Sequence, residues 1–269
     1  MKNNVIIQAL KDDDLPAITN IQPEGWPPVI HSISFYCSSP FCFPLKATID
    51  GKLVGTGTAI IFGQTAWLAH IIVHKDYRNS GIGSAITQSL VTLIRQTPCG
   101  TILLIATALG EPIYRKSGFE VQEQYVFMDD GALPATLNSS HILPYDPSFR
   151  KQVLELDVKV SGERREVLLA AHWENALMWI DDGTLYGYFL PTLGEGLIVA
   201  THPVAAEELM RSRYGTNKMF CLPESNESGV AFLANHGYKV YRKASRMILG
   251  KKIAWNGNNI YSRIGGNLG

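Results

Sequence analysis

The chain has 269 residues, and its 24 Lys and Arg residues balance 24 Asp and Glu residues, so the formal net charge at pH 7 is zero. Hydrophobic residues make up 46% and charged residues 18% of the sequence, a composition that excludes a disordered chain. The neutral balance gives no electrostatic reason to bind nucleic acid, and no apolar run approaches the roughly 18 residues of a membrane-spanning helix. At this length we expect about two domains.

The cysteines and the start of the chain bear on the cellular compartment. The four cysteines have no CxxC spacing and are too few for a disulfide framework, so a reducing cytoplasm is expected. Residues 1–4 lead into a strand-like run, without the long apolar stretch and cleavage site of a signal peptide. His70 and His74 are four residues apart, but a strand is predicted to end between them, so no metal site is expected.

Apolar periodicity and turn residues predict alternating strands and helices in the first half. Acidic residues 12–14 favour a helix start, and Asp50-Gly51 predicts a hairpin turn. The aromatic segment 22–45 is predicted to be irregular. In chain order, the predicted elements are a strand at 4–9, a helix at 13–21, strands at 45–49, 53–62 and 66–73, a helix at 81–95, a strand at 101–106, a helix at 111–117 and a strand at 121–128.

A proline-rich segment separates the two halves of the chain. Residues 129–148 contain three prolines and an Asn-Ser-Ser run, a composition typical of an interdomain linker. The predicted organisation is an N-terminal domain at 1–131, a linker at 132–148 and a C-terminal domain at 149–269.

Two short patterns occur in both halves at matching places. Gly118-Phe119 is followed by a methionine ten residues after its glycine and by another glycine after thirteen, and Gly237-Tyr238 is followed by the same residue types at the same distances. The hairpin turn at Asp50-Gly51 is matched by Asp182-Gly183. Together these patterns indicate a duplicated unit.

The stretch 66–85 carries the most informative motif. An apolar strand runs into a loop with Gly81 and Gly83 and then directly into a helix. Such a loop directs several backbone N–H groups at one point, and the helix N-terminus adds about half a unit of positive charge, which suits a diphosphate. The motif lacks the Gly-Lys-Ser/Thr ending of a P-loop, and Ile86 stands where the dinucleotide fingerprint requires a small residue.

The Arg-x-x-Gly-x-Gly motif at residues 78–83 closely resembles the acetyl-CoA loop of the GNAT family of acyl-CoA N-acyltransferases. A Tyr-x-x-x-Gly-Phe run at 114–119 resembles a second signature of that family. The resemblance implies an α+β fold in which a twisted mixed, mainly antiparallel sheet is flanked by helices. The whole chain resembles tandem-GNAT proteins whose second half is a degenerate copy of the first.

The resemblance also implies roles for individual residues. The backbone of Ile71 and Val73 would pair with the pantetheine arm of acetyl-CoA, and Tyr114 would lie near the sulfur and protonate it. Thr107 stands where family members often have an asparagine that contacts the cofactor. The diphosphate would be held by Arg78, which opens the loop, and by the amides of Asn79, Ser80, Gly81, Ile82, Gly83 and Ser84.

The residues on the acceptor side depart from the family pattern. Trp67 stands where some members have a glutamate base, and an indole cannot accept that proton. His70 is the nearest titratable candidate for a base. Alternatively, His70 is a hydrogen-bonded strand histidine without a catalytic role. Glu24 and Trp26 lie in the first irregular loop, where such proteins bind the acceptor. A packing role stays open for these two residues and for Tyr114.

The second half lacks the glycine pair. Its corresponding strand at 197–200 runs through Thr201-His202-Pro203 into a predicted helix at 204–213, and Pro203 supplies no N–H, so one acetyl-CoA site is expected. The resemblance implies acetyl-CoA-dependent N-acetylation of a small-molecule primary amine by a monomer or homodimer. The alternatives are a non-catalytic acyl-CoA-binding sensor or scaffold and a protein N-acetyltransferase.

Overall fold

The computed structural model describes residues 4–134, 139–215 and 218–269, and their contacts divide the chain into two units. The first unit contains residues 1–120 together with Met247–Lys251, and the second contains Val121–Arg246 together with Lys252–Gly269. No helix in the described part of the chain is long and apolar enough to cross a membrane.

The first unit is built on a mixed sheet flanked by helices. Its strands are β1 (Ile6–Ala9), β2 (Cys42–Ile49), β3 (Lys52–Phe62), β4 (Thr65–Val73) and β5 (Thr101–Ala106). Its helices are α1 (Leu15–Ile18), α2 (Ile30–Ser38), α3 (Ile82–Ile94) and α4 (Glu111–Lys116). The strands lie in sequence order, with antiparallel pairing from β1 to β4 and parallel pairing between β4 and β5.

The second unit contains two groups of strands. The strands are β6 (Glu120–Asp129), β7 (Ile142–Pro144), β8 (Leu177–Asp181), β9 (Thr184–Leu190), β10 (Leu197–Ala200), β11 (Phe220–Pro223), β12 (Lys239–Gly250) and β13 (Ile260–Ser262). The helices are α5 (Arg150–Ser161), α6 (Glu166–Leu169), α7 (Pro203–Tyr214) and α8 (Glu227–Asn235). β6 lies between β11 and β12, and the other strands form an antiparallel sheet in the order β13-β10-β9-β8-β7.

Most predicted elements of the first half are confirmed to within a few residues, but one prediction is wrong. The segment 22–45 is not irregular throughout, because Ile30–Ser38 forms α2. Its β-branched, aromatic and serine residues have low helix propensity, so propensity alone does not predict this helix. The available signal was the three-residue spacing of Ile33 and Tyr36, both of which are buried.

The predicted linker contains regular structure, and the contact division does not follow the predicted boundaries. Ile142–Pro144 forms β7 and pairs with β8, while residues 135–138 of the predicted linker lie outside the described residues. β6, predicted to close the first domain, belongs almost entirely to the second unit, and Met247–Lys251 belongs to the first. The contact division therefore places β6 with the second unit and divides β12 at Met247.

The turns that repeat in the sequence also repeat in backbone conformation. Asp50-Gly51 has φ values of +50° and +77°, and Asp182-Gly183 has values of +45° and +70°. Gly118 and Gly237, which follow α4 and α8, have φ values of +89° and +84°. These matched conformations support a duplicated unit.

Glycines on β3 allow α3 to lie close to the sheet. A Cβ at Gly57 would be 2.7 Å from Ile86 Cγ2 and 3.1 Å from Leu90 Cδ1, and one at Gly55 would be 2.9 Å from the carbonyl oxygen of Ile72. Ile86 and Leu90 are fully buried. The close packing of α3 on β3 sets the position of the α3 N-terminus relative to the end of β4.

Gly57→Ala should therefore lower the free energy of unfolding by about 1–3 kcal/mol, because the added methyl group overpacks a filled core. Urea denaturation measures the change. Gly215→Ala is the matched control, since Gly215 has a φ of −62° and, among the described residues, the nearest atom to an added Cβ is a carbonyl oxygen 3.6 Å away. We expect the control to change stability by less than about 1 kcal/mol. Equal stability of Gly57→Ala and the wild type would contradict the tight packing of α3.

Candidate active site

The backbone groups of β4 alternate between β3 and the side that faces β5. The His74 N–H donates to a β3 carbonyl at 2.9 Å. The Ile72 carbonyl also lies on the β3 side, close to Gly55. Neighbouring residues of a strand direct their peptide groups to opposite sides. The N–H and C=O groups of Val73 therefore point towards β5. Ile71 lies where the register of β3 and β4 shifts, so its pairing with the pantetheine arm stays a prediction.

β4 and β5 pair only near their beginnings. The parallel register joins residues 65–67 to residues 101–103, whereas β4 continues to Val73 and β5 to Ala106. Among the described residues, the pairing of these two strands ends at Trp67, which is itself buried. Peptide groups along such an open edge suit an extended ligand that carries amides of its own.

The loop after β4 turns at two residues with positive φ. Asn79 has a φ of +61° and Gly81 a φ of +86°. Asparagine tolerates this region better than most residues, and glycine has no Cβ that would clash there. The Ser80 hydroxyl donates to the Tyr77 carbonyl. Residues 78–81 are all exposed, so the loop presents its backbone to solvent.

The N-terminus of α3 has no side-chain cap. Gly81 is the N-cap residue, and because glycine has no side chain it supplies no capping hydrogen bond. The first N–H groups of an α-helix have no partner within the helix and carry partial positive charge. The amides of Ile82, Gly83 and Ser84 are such groups, and they continue directly from the exposed loop. This segment has the features of an anion-binding helix N-terminus.

The Arg78 side chain lies back along the end of β4. Its Nε donates to the Val73 carbonyl oxygen at 3.2 Å, and the residue is exposed. That carbonyl is one of the groups that the family resemblance assigns to the pantetheine arm. An incoming amide would therefore compete with Arg78 for it.

His70 lies in a β-bulge. The register of β3 and β4 shifts between Thr56 and Thr58, so that His70 and Ile71 together face a single residue of β3. His70 has a φ of +46°, a conformation in which histidine is more frequent than most side chains. The bulge fixes the backbone at the residue predicted to be the base.

Two aromatic side chains surround the His70 ring. The Tyr36 hydroxyl lies 2.8 Å from His70 Nδ1, and the two ring centroids are 5.6 Å apart. The Trp26 ring makes an edge-on contact with a centroid distance of 6.5 Å. Burial lowers the pKa of His70 to about 4, so the imidazole is neutral at pH 7. The fold thus brings predicted residues His70 and Trp26 together and adds Tyr36, which the sequence reasoning missed.

Gln22, also missed, organises the loop that carries Glu24 and Trp26. Its Nε2 donates to the carbonyls of Trp26 and Pro27 at 3.2 and 3.1 Å, and its Oε1 accepts from the Val29 N–H at 3.0 Å. Glu24 is exposed on the same loop, and Trp26 is 43% exposed. A cavity of about 210 Å³ beside Trp26 is also lined by Ile18, Thr19, Gln22, Pro28 and Ile30.

Tyr114 lies on α4, near the start of α3. Its ring makes an edge-on contact with Phe119, with the centroids 6.0 Å apart. A Cβ at Gly83 would be 4.0 Å from Ile113 Cδ1, so the beginning of α3 and the middle of α4 are neighbours. Burial raises the pKa of Tyr114 to about 12, and the phenol is therefore protonated throughout the physiological range.

Thr107 shapes the turn before α4. Its carbonyl accepts hydrogen bonds from the N–H groups of Gly110 and Glu111 at 2.9 Å, and its hydroxyl accepts from the Gly110 N–H at 3.2 Å. These bonds give Thr107 a structural part in presenting α4. A contact with the cofactor stays a prediction.

In the second unit, a strand of the chain itself lies between β10 and β11. β10 pairs with β13, and the N–H of Arg263, just after β13, donates to the Cys221 carbonyl of β11 at 3.0 Å. By chain order this place corresponds to the opening between β4 and β5. β10 ends at Ala200 and α7 begins at Pro203, so only two residues connect them. The short connection was predicted from the sequence, whereas the inserted strand was not.

The structure gives no indication of a metal centre in the residues that it describes. No group of three or more His, Cys, Asp or Glu side chains is placed to hold an ion there. All four cysteines are free thiols. His74 Nδ1 accepts a hydrogen bond from the Asp76 N–H at 3.2 Å and so belongs to the turn after β4.

Sequence comparison finds a similarity between the first half of the chain and a known family. Residues 7–119 match the model of the Acetyltransferase (GNAT) family, a range that includes the loop, α3, α4 and Tyr114. The uncharacterized protein YyaT of Bacillus subtilis (strain 168) is 34% identical over 93 residues, which are 35% of this chain and 62% of that protein. The chain spans about three fifths of the length of the curated relatives it matches.

Solved structures extend the likeness to the whole fold. A Pyrococcus horikoshii protein superposes with a TM-score of 0.83 at 23% identity, covering 98% of this chain and 96% of that one. A tandem GNAT protein from the clavulanic acid biosynthesis pathway superposes with a TM-score of 0.63 at 14% identity, covering 92% of this chain and 98% of that one. The chain therefore has the α+β fold of tandem GNAT proteins.

Proposed function

We propose that this protein transfers the acetyl group of acetyl-CoA to the primary amine of a small molecule. The observation that carries the proposal is the uncapped N-terminus of α3, which continues from an exposed loop at the end of the open edge of β4. An acyl-CoA needs donors for its diphosphate and peptide groups for its amide-bearing arm. The first unit offers both within one short segment of chain.

The cofactor contacts would come mainly from the backbone. The amides of residues 79–84 would hold the diphosphate, and the exposed guanidinium of Arg78 would add positive charge after leaving the Val73 carbonyl. Ile71 and Val73 would pair with the pantetheine arm, and Thr107 would lie beside it. The C-terminal half would bind no second cofactor, because β13 fills the corresponding opening and Pro203 begins α7.

The acceptor amine must be neutral to attack the thioester. An alkylamine with a pKa near 10.4 is neutral in only about one molecule in 2500 at pH 7. A surrounding of uncharged aromatic rings lowers the pKa of an amine by desolvation. Trp26, Tyr36 and the neutral His70 offer such a surrounding. His70, predicted as the base, is a weak one, since burial lowers its pKa to about 4.

The departing sulfur needs a hydrogen-bond donor. Tyr114 would supply it, because its pKa of about 12 keeps the phenol protonated. A thiol has a pKa near 8.5. The phenol would therefore stabilise the thiolate as it forms. The proton that the attacking amine loses would pass to solvent, and the thiolate would take up a proton from solvent to become the thiol.

The acceptor would enter beside Glu24 and Trp26. The cavity next to Trp26 holds about 210 Å³, which is room for a small amine. The carboxylate of Glu24 is exposed on the same loop and would attract a cationic amine.

Release of free thiol from acetyl-CoA across a panel of acceptors tests the proposed reaction. The panel should contain small primary amines, peptides with a free N-terminus or lysine, and a reaction without acceptor. We expect release with at least one small amine, well above the acceptor-free rate. Acetyl-CoA binding without release on any acceptor would instead identify a sensor or scaffold, and release only with peptides would identify a protein N-acetyltransferase.

A further inference from the structure

The contact between Tyr36 and His70 joins two residues that are far apart in the sequence. Tyr36 is only 1% exposed, and its hydroxyl lies 2.8 Å from His70 Nδ1. His70 is fixed from a second direction by its backbone, which has a φ of +46° within the bulge of β4. The imidazole thus has one nitrogen held by a buried phenol.

The chemistry of the two groups decides which one donates. In neutral imidazole one nitrogen carries the proton and the other accepts, and the partner of one nitrogen sets the state of the other. A phenol O–H is a stronger acid than an imidazole N–H, and the bare imidazole nitrogen is a stronger base than a phenol oxygen. The favoured bond therefore runs from the Tyr36 O–H to His70 Nδ1, which leaves the ring proton on Nε2.

We infer that Tyr36 is a positioning residue that holds His70 as a neutral ring protonated at Nε2, so that His70 is a hydrogen-bond donor to the substrates and not their base. The inference rests on the proposed function for its consequence in acyl transfer. With Nδ1 accepting from Tyr36 and Nε2 already protonated, neither nitrogen is available to take the amine proton. Desolvation beside Trp26 then remains the route to a neutral amine.

The ring state is measured directly by nitrogen NMR on the intact, 15N-histidine-labelled protein at pH 7. The signals of His70 are assigned by their loss in His70→Asn, a substitution that the positive φ tolerates. We expect a pyrrole-type shift for Nε2 and a pyridine-type shift for Nδ1. A pyrrole-type Nδ1, or averaged shifts at both nitrogens, would overturn the inference.

Tyr36→Phe removes the hydroxyl and keeps the ring that packs in the core. We expect the His70 nitrogen shifts to move towards averaged values and kcat to fall about tenfold, the scale of one hydrogen bond. The KM for acetyl-CoA should change by less than about twofold, because Tyr36 binds the His70 ring and is not one of the residues proposed to bind acetyl-CoA. Unchanged nitrogen shifts in this variant would refute the role of Tyr36.

Tyr238→Phe is the matched control. Tyr238 is 3% exposed, and its hydroxyl has no hydrogen-bond partner among the described residues. The control should leave both the His70 signals and kcat unchanged. Because the NMR measurement needs no substrate, the two proposals fail separately. The predicted ring state in a protein that acetylates nothing would refute the proposed reaction alone.

Discussion

Gly81→Val should raise the dissociation constant for acetyl-CoA by about ten- to a hundredfold. Gly81 has a φ of +86° at the N-cap of α3. A β-branched residue held there costs about 1–3 kcal/mol, and each 1.4 kcal/mol is a factor of ten in affinity. With valine at position 81, the loop would relax to a negative φ at that residue. The N–H groups of Ile82 and Gly83 would then no longer point to the same place. Diphosphate binding would then have to restore the strained conformation.

Isothermal titration calorimetry measures the effect, and Gly63→Val provides the control. Gly63 also has a positive φ, +65°, in the turn between β3 and β4, and a Cβ there meets no atom within 4 Å. The control introduces the same kind of backbone strain away from the loop after β4, so it should lower the free energy of unfolding. Its dissociation constant for acetyl-CoA should stay within about twofold of the wild-type value. Wild-type affinity in Gly81→Val would show that the loop does not hold the diphosphate.

Tyr114→Phe should lower kcat by about ten- to a hundredfold, because the thiolate that forms loses a hydrogen bond to a charged group, which is about 1.5–3 kcal/mol. The KM for acetyl-CoA should change little, because the interaction forms only as charge develops on the sulfur. Burial raises the pKa of Tyr114 to about 12, so wild-type kcat should show no loss from ionisation of this phenol up to about pH 10. Steady-state thiol release as a function of pH measures both effects.

Tyr125→Phe is the control for this substitution. Tyr125 lies on β6, is fully buried, and also has its pKa raised by burial to about 12. Loss of the Tyr125 hydroxyl group should leave kcat unchanged. If Tyr114→Phe turned over at the wild-type rate, the phenol would have a packing role only.

The part of the candidate site that lies within one continuous segment was predictable from the sequence. Residues 66–85 contain the strand, the two glycines and the apolar period of α3, and each of these signals acts over a few residues. The structure confirms the strand, the loop and the helix there. Gly81 and Gly83 together were the signal for the loop, and the structure shows that Gly81 has the positive φ that suits a residue without Cβ.

Features that depend on residues distant in the chain were not predictable. Tyr36 contacts His70 across 34 positions, and α2 was hidden by residues of low helix propensity. The bulge at His70 arises from the register of two strands, which a single strand pattern does not contain. The position of β13 between β10 and β11 depends on the opening that those two strands leave. The sequence of β13 alone therefore does not predict its pairing with β10.

We propose that backbone amides at the start of α3 bind the diphosphate of a coenzyme A thioester. Backbone amide NMR during titration with coenzyme A tests this binding most directly, because every N–H reports separately. We expect the largest shift changes to fall on residues 79–84 and to saturate at one molecule per chain. Changes centred on residues 201–205, or none at 79–84 at saturating coenzyme A, would contradict it.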